Sequence, residues 1–260
     1  MKGMHILLTN DDGFEAVGLQ HLAQVLHSKY QVSIVAPDRQ RSGASHSACY
    51  FQNDLLATWR KVPGVNQAFM VTGTPADCVY VGLFGLLDRP VDVVISGINR
   101  GPNFASDVLY SGTAGGAMEA LVLGYAAMAV SLNDYHADEA CLYKHAAMRV
   151  MELLPRYMKD KRRTSYMLNV NVPKGMDRGI CVMPSGGRRG YTRKMKKQVM
   201  DNGQILLRVM SDPCINETCG LPVHDDQSAV EAGWCVVTPF RYGFALGRKI
   251  SVLKRVLEEE

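Results

Sequence analysis

Residues 4–13 read MHILLTNDDG, a short apolar run that passes into a polar turn carrying the adjacent carboxylates Asp11 and Asp12. The apolar half predicts a buried strand, and the apolar positions of residues 17–29 recur at the spacing of an amphipathic helix. A second strand-like run, QVSIVA, occupies residues 31–36. Because a strand, a helix and a strand in this order form the unit of a parallel sheet, we expect an α/β protein.

The acidic pair stands where the first strand stops, on the side of an open α/β sheet where ligands bind. Neighbouring carboxylates repel each other unless a cation lies beside them, and their oxygens suit hard cations such as Mg²⁺, Mn²⁺ and Ca²⁺. Asp11 and Asp12 are therefore candidate ligands of a divalent metal. The alternative is an ordinary polar turn, in which Asp12 and Gly13 supply only the turn chemistry.

The bulk composition is that of a globular protein. The chain has 260 residues and a net charge of +4, enough length for one large α/β domain or one domain with an appendage. The charge is too weak to indicate a nucleic-acid partner. The N-terminal residues lack secretory-signal features, and the longest weakly polar stretch, residues 117–132, is too short to span a membrane. We expect a cytoplasmic protein with neither a membrane nor a nucleic-acid partner.

The cysteines do not suggest disulfides. There are seven, an odd number, and their positions lack the spacing of a disulfide framework. We interpret most of them as buried thiols in a reducing compartment. Cys214, Cys219 and His224 form an alternative zinc site, but their spacing is loose and a fourth ligand is not evident.

Polar residues also follow other strand patterns. Ser42 lies in a long polar loop, residues 37–47, after the second strand, and Asn99 and Asn103 follow the clearest core strand, residues 91–96. Because the carboxyl ends of parallel strands share one edge of the sheet, we expect these side chains beside the acidic pair. A hydroxyl, an amide carbonyl and two carboxylates are an all-oxygen set that suits Mg²⁺ or Mn²⁺.

A helix start near Ser111 offers a second kind of site. Ser111 is a suitable N-cap, and the following residues are small. Free N–H groups at a helix start bind anions, and small side chains let a phosphate approach the backbone. The alternative is a capped helix that packs closely through Gly115 and Gly116, and the two interpretations are compatible. A cation beside such a helix suits phosphate-ester cleavage.

The C-terminal third differs from the rest of the chain in its predicted secondary structure. Residues 1–175 are predicted to be the core, and residues 176–260 a β-rich extension of the same domain in which short strand-like runs alternate with loops. Such arms commonly serve oligomer contacts or cover an active site. Asp225 and Asp226 are predicted to belong to a turn rather than to a second metal site, and residues 248–260 to a short helix.

Five motifs in order resemble the survival protein E (SurE) family. They are NDDG at residues 10–13, APDR with RSGAS at residues 36–45, GTPADCV at residues 73–79, SGINRGPN at residues 96–103 and YSGT at residues 110–113. The resemblance implies a Rossmann-like three-layer sandwich and a metal-dependent 5′/3′-nucleotidase that hydrolyses nucleoside monophosphates. It also implies a homodimer or homotetramer formed through the C-terminal arm.

The resemblance further implies roles for individual residues. The ligands of one divalent metal ion, Mg²⁺ or Mn²⁺, are expected to be Asp11, Asp12, Ser42 and Asn99. The phosphate-binding residues are expected to be Asn103, Ser111, Gly112 and Thr113. Asp11 and Asp12 are the expected catalytic residues, with Asp12 the candidate to orient or deprotonate the attacking water.

Two further side chains have predicted local roles. Asp77, in the first turn of a helix behind Thr74, is predicted to be a capping residue, and His46 to be a solvated loop residue. The same crevice also suits a phosphoryl hydrolase of broader range, acting on short-chain polyphosphate, or a nucleotide-binding sensor without turnover.

Overall fold

The computed structural model describes residues 3–192, 194–210 and 223–242. Its strands are β1 His5–Thr9, β2 Gln31–Pro37, β3 Ala57–Trp59, β4 Gln67–Val71, β5 Val93–Arg100, β6 Ala126–Asn133, β7 Met167–Pro173, β8 Ile180–Val182, β9 Lys194–Val199, β10 Ile205–Met210 and β11 Cys235–Phe240. Its α-helices are α1 Val17–Leu26, α2 Pro75–Val81, α3 Gly112–Val122, α4 Ala140–Tyr157 and α5 Asp226–Glu231. A π-helical segment, Gly82–Leu86, and a 3₁₀ turn, Ala105–Leu109, complete the elements.

Nine strands form one sheet in the order β3-β4-β2-β1-β5-β6-β7-β11-β8. The six strands from β4 to β7 in that order are mutually parallel, and β3 and β11 run antiparallel to β4 and β7. The chain goes from β1 outward to β2 and β4 and then returns to β5 on the other side of β1. The carboxyl ends of β1 and β5 therefore flank the point where the strand order reverses, which is where such sheets bind ligands.

Successive side chains of the buried strands point to opposite faces of the sheet, and each face packs against its own layer of helices. Ile6 and Leu8 join a core cluster with residues of α1 and α4, whereas Leu7 joins a cluster with residues of α2 and α3. The two helix pairs thus cover opposite faces of the sheet, because side chains alternate along a strand. The predicted three-layer α/β fold is confirmed.

The C-terminal extension divides into two parts. Strands β8 and β11 complete the main sheet beside β7, while β9 and β10 form a separate antiparallel hairpin. The β-rich character is confirmed, and the division at residue 175 stays a prediction. The proposed helix over residues 248–260, and Cys214 and Cys219 of the alternative zinc site, lie outside the described residues. Within the described ranges, no helix is long and apolar enough to cross a membrane.

Candidate active site

Asp11 lies at the end of β1 against the first turn of α3. It is 4% exposed, and its Oδ1 accepts a hydrogen bond from the hydroxyl of Thr113. A Cβ on Gly112 would lie 2.7 Å from the Cβ of Asp11, so only glycine permits this approach. Burial raises the pKa of Asp11, although the Thr113 hydroxyl and the backbone N–H groups of Gly112 and Thr113 oppose the shift.

Asp12 extends the acidic site toward β5. Its Oδ2 accepts a hydrogen bond of 3.0 Å from the backbone N–H of Arg100. Burial, followed by the negative charge of Asp11, raises the pKa of Asp12 to about 6. Two desolvated carboxylates that repel each other are what a divalent cation would stabilise in the ionised form.

The donor set fits a hard cation rather than a soft one. Within residues 3–192, 194–210 and 223–242, no three or more His, Cys, Asp or Glu residues cluster as a metal site. Neutral oxygens from hydroxyls, amides or water would complete the coordination shell of a cation bound at the pair. Such a set suits Mg²⁺ or Mn²⁺, which keep several waters in their coordination shell.

Asn99 precedes Arg100, whose N–H binds Asp12, and it follows an irregularity in β5. The pairing of β5 with β6 changes register between Ser96 and Asn99, at Gly97, where φ is +134° and a Cβ would collide with the carbonyl of Val130. A bulge of this kind re-aims the side chains that follow it. Asn99 is 9% exposed and donates through Nδ2 to the carbonyl of Gly101 at 2.8 Å, which leaves its carbonyl oxygen available as a ligand.

Ser42 lies in the adjacent loop but is less tightly held. The backbone N–H of Arg41 donates to the carbonyl of Asp11 at 2.7 Å, which joins this loop to the acidic turn. Ser42 itself is exposed, and its hydroxyl oxygen accepts a hydrogen bond of 3.0 Å from Nε2 of Gln40. The structure therefore places the Ser42 loop, rather than a direct side-chain contact, against Asp11.

Asn103 is held by hydrogen bonds to residues of β6 and β7. Its Nδ2 donates to the hydroxyl of Ser131 at 2.8 Å, and its backbone carbonyl accepts hydrogen bonds from Asn169 at 2.7 Å and Asn171 at 2.9 Å. Its own N–H donates to Oδ1 of Asn171 at 2.8 Å. These contacts fix the loop after β5, and they connect Asn103 to β6 and β7 rather than to Asp11.

The first turn of α3 is organised as expected. Ser111 caps the helix by accepting a hydrogen bond of 3.0 Å from the backbone N–H of Ala114. Thr113 is fully buried, and Gly112 and Thr113 both donate backbone N–H groups toward Asp11. Of the predicted site residues, the structure therefore joins Asp11, Gly112 and Thr113 by direct contact. Asp12, next to Asp11, bonds to the backbone of Arg100 at the end of the neighbouring strand β5, which also carries Asn99.

Three acidic residues have structural roles. Asp77 caps a helix as the sequence predicts, whereas Asp225 and Asp226, predicted to belong to a turn, begin the helix α5. Asp77 and Thr74 form a reciprocal capping box at the start of α2. Asp225 caps α5 by accepting a hydrogen bond of 2.8 Å from the N–H of Ser228. Asp226 instead accepts from the backbone N–H groups of Gly186 at 2.7 Å and Ala105 at 3.1 Å. It thereby ties the segment after β8 to the 3₁₀ turn beside the site.

His46 is exposed, as the sequence predicts of this loop histidine, but it also has a partner that the sequence does not indicate. Its Nε2 lies 2.7 Å from Oε2 of Glu119, a buried residue of α3. The two residues are 73 positions apart, and their pairing holds the Ser42 loop against α3. The loop histidine has a partner because α3 carries a buried carboxylate that needs one.

Sequence reasoning missed several of these supporting residues. Ser131, Asn169 and Asn171 are polar residues inside buried strands, and that mismatch with their apolar neighbours was the available signal. The contact of Thr113 with Asp11 joins residues 102 positions apart, and no local pattern indicates it.

Comparison with known proteins gives consistent matches. The family model described as "Survival protein SurE" matches residues 6–198. The chain is 34% identical over 256 residues to the "5'-nucleotidase SurE" of Pelotomaculum thermopropionicum, covering 98% of this chain and 96% of that protein. It is 41% identical over 241 residues to the "5'/3'-nucleotidase SurE" of Salmonella paratyphi A, covering 91% of this chain and 89% of that protein.

A solved structure agrees over the whole fold. The crystal structure of the SurE protein from Aquifex aeolicus is similar with a TM-score of 0.79 and 30% sequence identity. The similarity covers 97% of this chain and 99% of that chain. The match therefore includes the C-terminal extension as well as the sheet that carries the acidic pair.

Proposed function

The chain belongs to the survival protein SurE family and is a nucleotidase, and we propose that a divalent cation held at Asp11 and Asp12 is its cofactor. The reaction is hydrolysis of a nucleoside monophosphate to nucleoside and phosphate. We propose that both 5′- and 3′-monophosphates are substrates, as the name of the Salmonella relative suggests.

We propose Asp11, Asp12, Ser42 and Asn99 as the residues that hold the cation, Mg²⁺ or Mn²⁺. The observation that carries this proposal is geometric: Asp11 is 4% exposed and held against α3 by Thr113, and the adjacent Asp12 accepts a hydrogen bond from the backbone of Arg100, so two neighbouring carboxylates are fixed at one edge of the sheet. When bound, such a cation polarises a phosphoryl oxygen and lowers the pKa of water.

The residues of the chain then have distinct tasks. Asp12 is the more accessible carboxylate of the pair, and we propose that it orients the attacking water or accepts its proton. Asp11, fixed by Thr113, holds the site against α3. We propose that Asn103, Ser111, Gly112 and Thr113 bind the phosphate, because the N-terminus of α3 carries partial positive charge next to Asp11.

Phosphate release from a panel of nucleoside monophosphates tests the activity and its cofactor together. We expect turnover that depends on added Mg²⁺ or Mn²⁺ and stops in excess chelator. Short-chain polyphosphate belongs in the same panel, since an enzyme of broader range would cleave it at a comparable rate. Full activity in chelator would refute the metal mechanism and leave the family assignment intact.

The hairpin of β9 and β10 supports a proposal about assembly. One face is largely apolar, with one charged residue, Lys197, among the exposed side chains of Met195, Val199, Ile205, Leu207 and Val209. On the other face Lys196 lies directly opposite Arg208. A lone two-stranded hairpin is marginally stable, and like charges in register weaken it further. We propose that the apolar face packs on a second copy of the chain, in a homodimer or homotetramer.

We also propose that the protein works in the cytoplasm. Among the described residues, five cysteines are free thiols, two of them buried. Free thiols on this scale are typical of a reducing compartment.

A further inference from the structure

A second feature beside the acidic pair is a cavity of about 790 Å³. It lies between α3, the 3₁₀ turn and the segments around residues 185–188 and 240–242. Ser111, the cap of α3, forms part of its wall, and the next residue, Gly112, touches Asp11. The cavity therefore opens directly beside the proposed phosphate position.

The size and lining of the cavity match a nucleoside. Small-molecule sites usually enclose about 300–1,000 Å³, with apolar walls and a few placed polar groups. Here the apolar walls include Leu109, Met118 and Val122, and polar groups include Ser45 and Arg188. A base offers apolar faces and polar edges, and a ribose offers hydroxyls, so both parts find suitable partners.

A smaller cavity at the acidic pair does not suit this role. It is lined by Asp12, Glu15 and Asp138 together with Arg100, and its volume is about 230 Å³. That is below the usual range for such ligands, and three carboxylates repel a phosphate ester. A substrate whose phosphate reaches Asp11 thus has its organic part on the α3 side.

His46 is the lining residue best placed to form a specific hydrogen bond with the nucleoside. Its Nε2 is bonded to Glu119 at 2.7 Å, which fixes the ring and leaves Nδ1 as the remaining hydrogen-bonding atom. Glu119 is buried behind it and is not part of the lining. The pair thus presents one oriented polar group in an otherwise largely apolar wall.

We propose that this cavity binds the nucleoside part of the substrate and that His46, oriented by Glu119, determines which nucleosides are accepted. The inference rests on the nucleotidase activity and specifies where its organic substrate part lies. It assigns the cavity a ligand class, a purine or pyrimidine nucleoside, and assigns Glu119 a positioning role.

Leu109→Trp tests the cavity, because Leu109 is 61% exposed and a larger ring there fills the cavity without entering the core. The measured quantity is the ratio of kcat/KM for adenosine 5′-monophosphate to kcat/KM for p-nitrophenyl phosphate, which carries no nucleoside. We expect the ratio to fall at least tenfold, and the inhibition constant of adenosine to rise by a similar factor relative to that of inorganic phosphate. Leu56→Trp, at a 70% exposed position that lines none of these cavities, is the matched control and keeps both ratios.

His46→Phe and His46→Gln test the specificity residue. We expect the phenylalanine variant to change the order of preference among the adenosine, guanosine, cytidine and uridine monophosphates, and the glutamine variant to retain more of the original order. An unchanged ratio in Leu109→Trp together with an unchanged order in His46→Phe would overturn the proposal. Absence of phosphate release from every mononucleotide by the unmodified enzyme would instead overturn the nucleotidase activity itself.

Discussion

The acidic edge of the sheet, at Asp11 and Asp12, holds its charged side chains buried or half-buried, whereas the β9–β10 hairpin leaves apolar and charged side chains exposed alike. At the acidic edge, Asp11 is buried and bonded to Thr113, and its neighbours are fixed by backbone hydrogen bonds from distant segments. In the hairpin, β9 is exposed throughout and β10 nearly so. The first region is held in place by contacts within one chain, whereas the second leaves most of its side chains exposed.

The two regions differ in how much destabilisation the surrounding packing can tolerate. Burying two carboxylates costs stability, and the fold tolerates that cost because the surrounding sheet is well packed. The hairpin buries too little apolar surface to tolerate any such cost. Variants in the two regions should therefore differ in both the size and the kind of their effects.

The largest effect is expected at Asp11. Asp11→Asn removes one negative charge from the pair and should lower kcat/KM for a nucleoside monophosphate at least 10³-fold, about 4 kcal/mol of transition-state stabilisation. Circular dichroism should show the fold retained, because the amide is isosteric. Asp54→Asn, at an exposed carboxylate, is the control and should keep full activity. Equal activity of the Asp11 variant and this control would contradict the role of the acidic edge.

The next effect concerns the root of the C-terminal extension, between β7 and β8. The buried carboxylate of Asp177 accepts hydrogen bonds from His145 at 2.7 Å and from Nε of Arg149 at 2.8 Å. Burial alone would raise the pKa of Asp177, but the bonds to Arg149 and His145 outweigh it and hold the pKa below its usual value. We expect Asp177→Asn to lower the free energy of unfolding by about 3 kcal/mol at pH 7.

The pH dependence follows from the direction of that shift. A carboxyl with a lowered folded pKa stabilises the protein above its unfolded pKa, near 4, and the stabilisation is lost as the pH falls through the folded pKa. The difference between wild type and Asp177→Asn in urea unfolding should therefore shrink below pH 4. Asp201→Asn, in the hairpin turn, should show no difference at either pH. A pH-independent loss in Asp177→Asn would refute the ion-pair explanation.

Gly112→Ala should lower the free energy of unfolding by a smaller amount, although a glycine-to-alanine change in a helix usually raises it. Alanine normally stabilises a helix over glycine by about 1 kcal/mol, but here its Cβ would lie 2.7 Å from the Cβ of Asp11. We expect a net destabilisation of about 1–2 kcal/mol by thermal unfolding, together with reduced phosphate release. Gly85→Ala is the comparison, since a Cβ there meets no atom within 4 Å. Stabilisation by both substitutions would show that α3 does not pack tightly on Asp11.

The smallest effect on the folded core is expected from the hairpin. Leu207→Lys places a second lysine directly opposite Lys197 on the largely apolar face and should lower the molar mass measured by light scattering, with the stability of the core changed by less than about 0.5 kcal/mol. Lys196→Gln, on the opposite face, should leave the mass unchanged. An unaltered molar mass in the Leu207 variant would show that the hairpin is not part of the subunit interface.

Local patterns in the sequence predicted the elements and much of the site. The apolar run before Asp11, the cap at Ser111 and the capping box at Thr74 and Asp77 are all encoded within a few residues, and each is present. The convergence of the Asp12 and Asn99 loops followed from one topological rule about parallel strands.

Contacts between distant segments were beyond such patterns. The antiparallel insertion of β11 beside β7 depends on how residues far apart in sequence meet. The pairing of His46 with Glu119 and the bridge from Asp226 to Ala105 depend on the same kind of meeting. Periodicity and turn chemistry describe one segment at a time, so they give the parts of the site but not the residues that hold those parts together.

Calorimetric titration with Mn²⁺ tests the central claim most directly, because it reports the cation at the acidic edge without relying on turnover. We expect one binding site per chain in the unmodified protein and in Asp54→Asn, and loss of that site in Asp12→Asn. Binding of Mn²⁺ to Asp12→Asn with the stoichiometry and affinity of the unmodified protein would contradict the account.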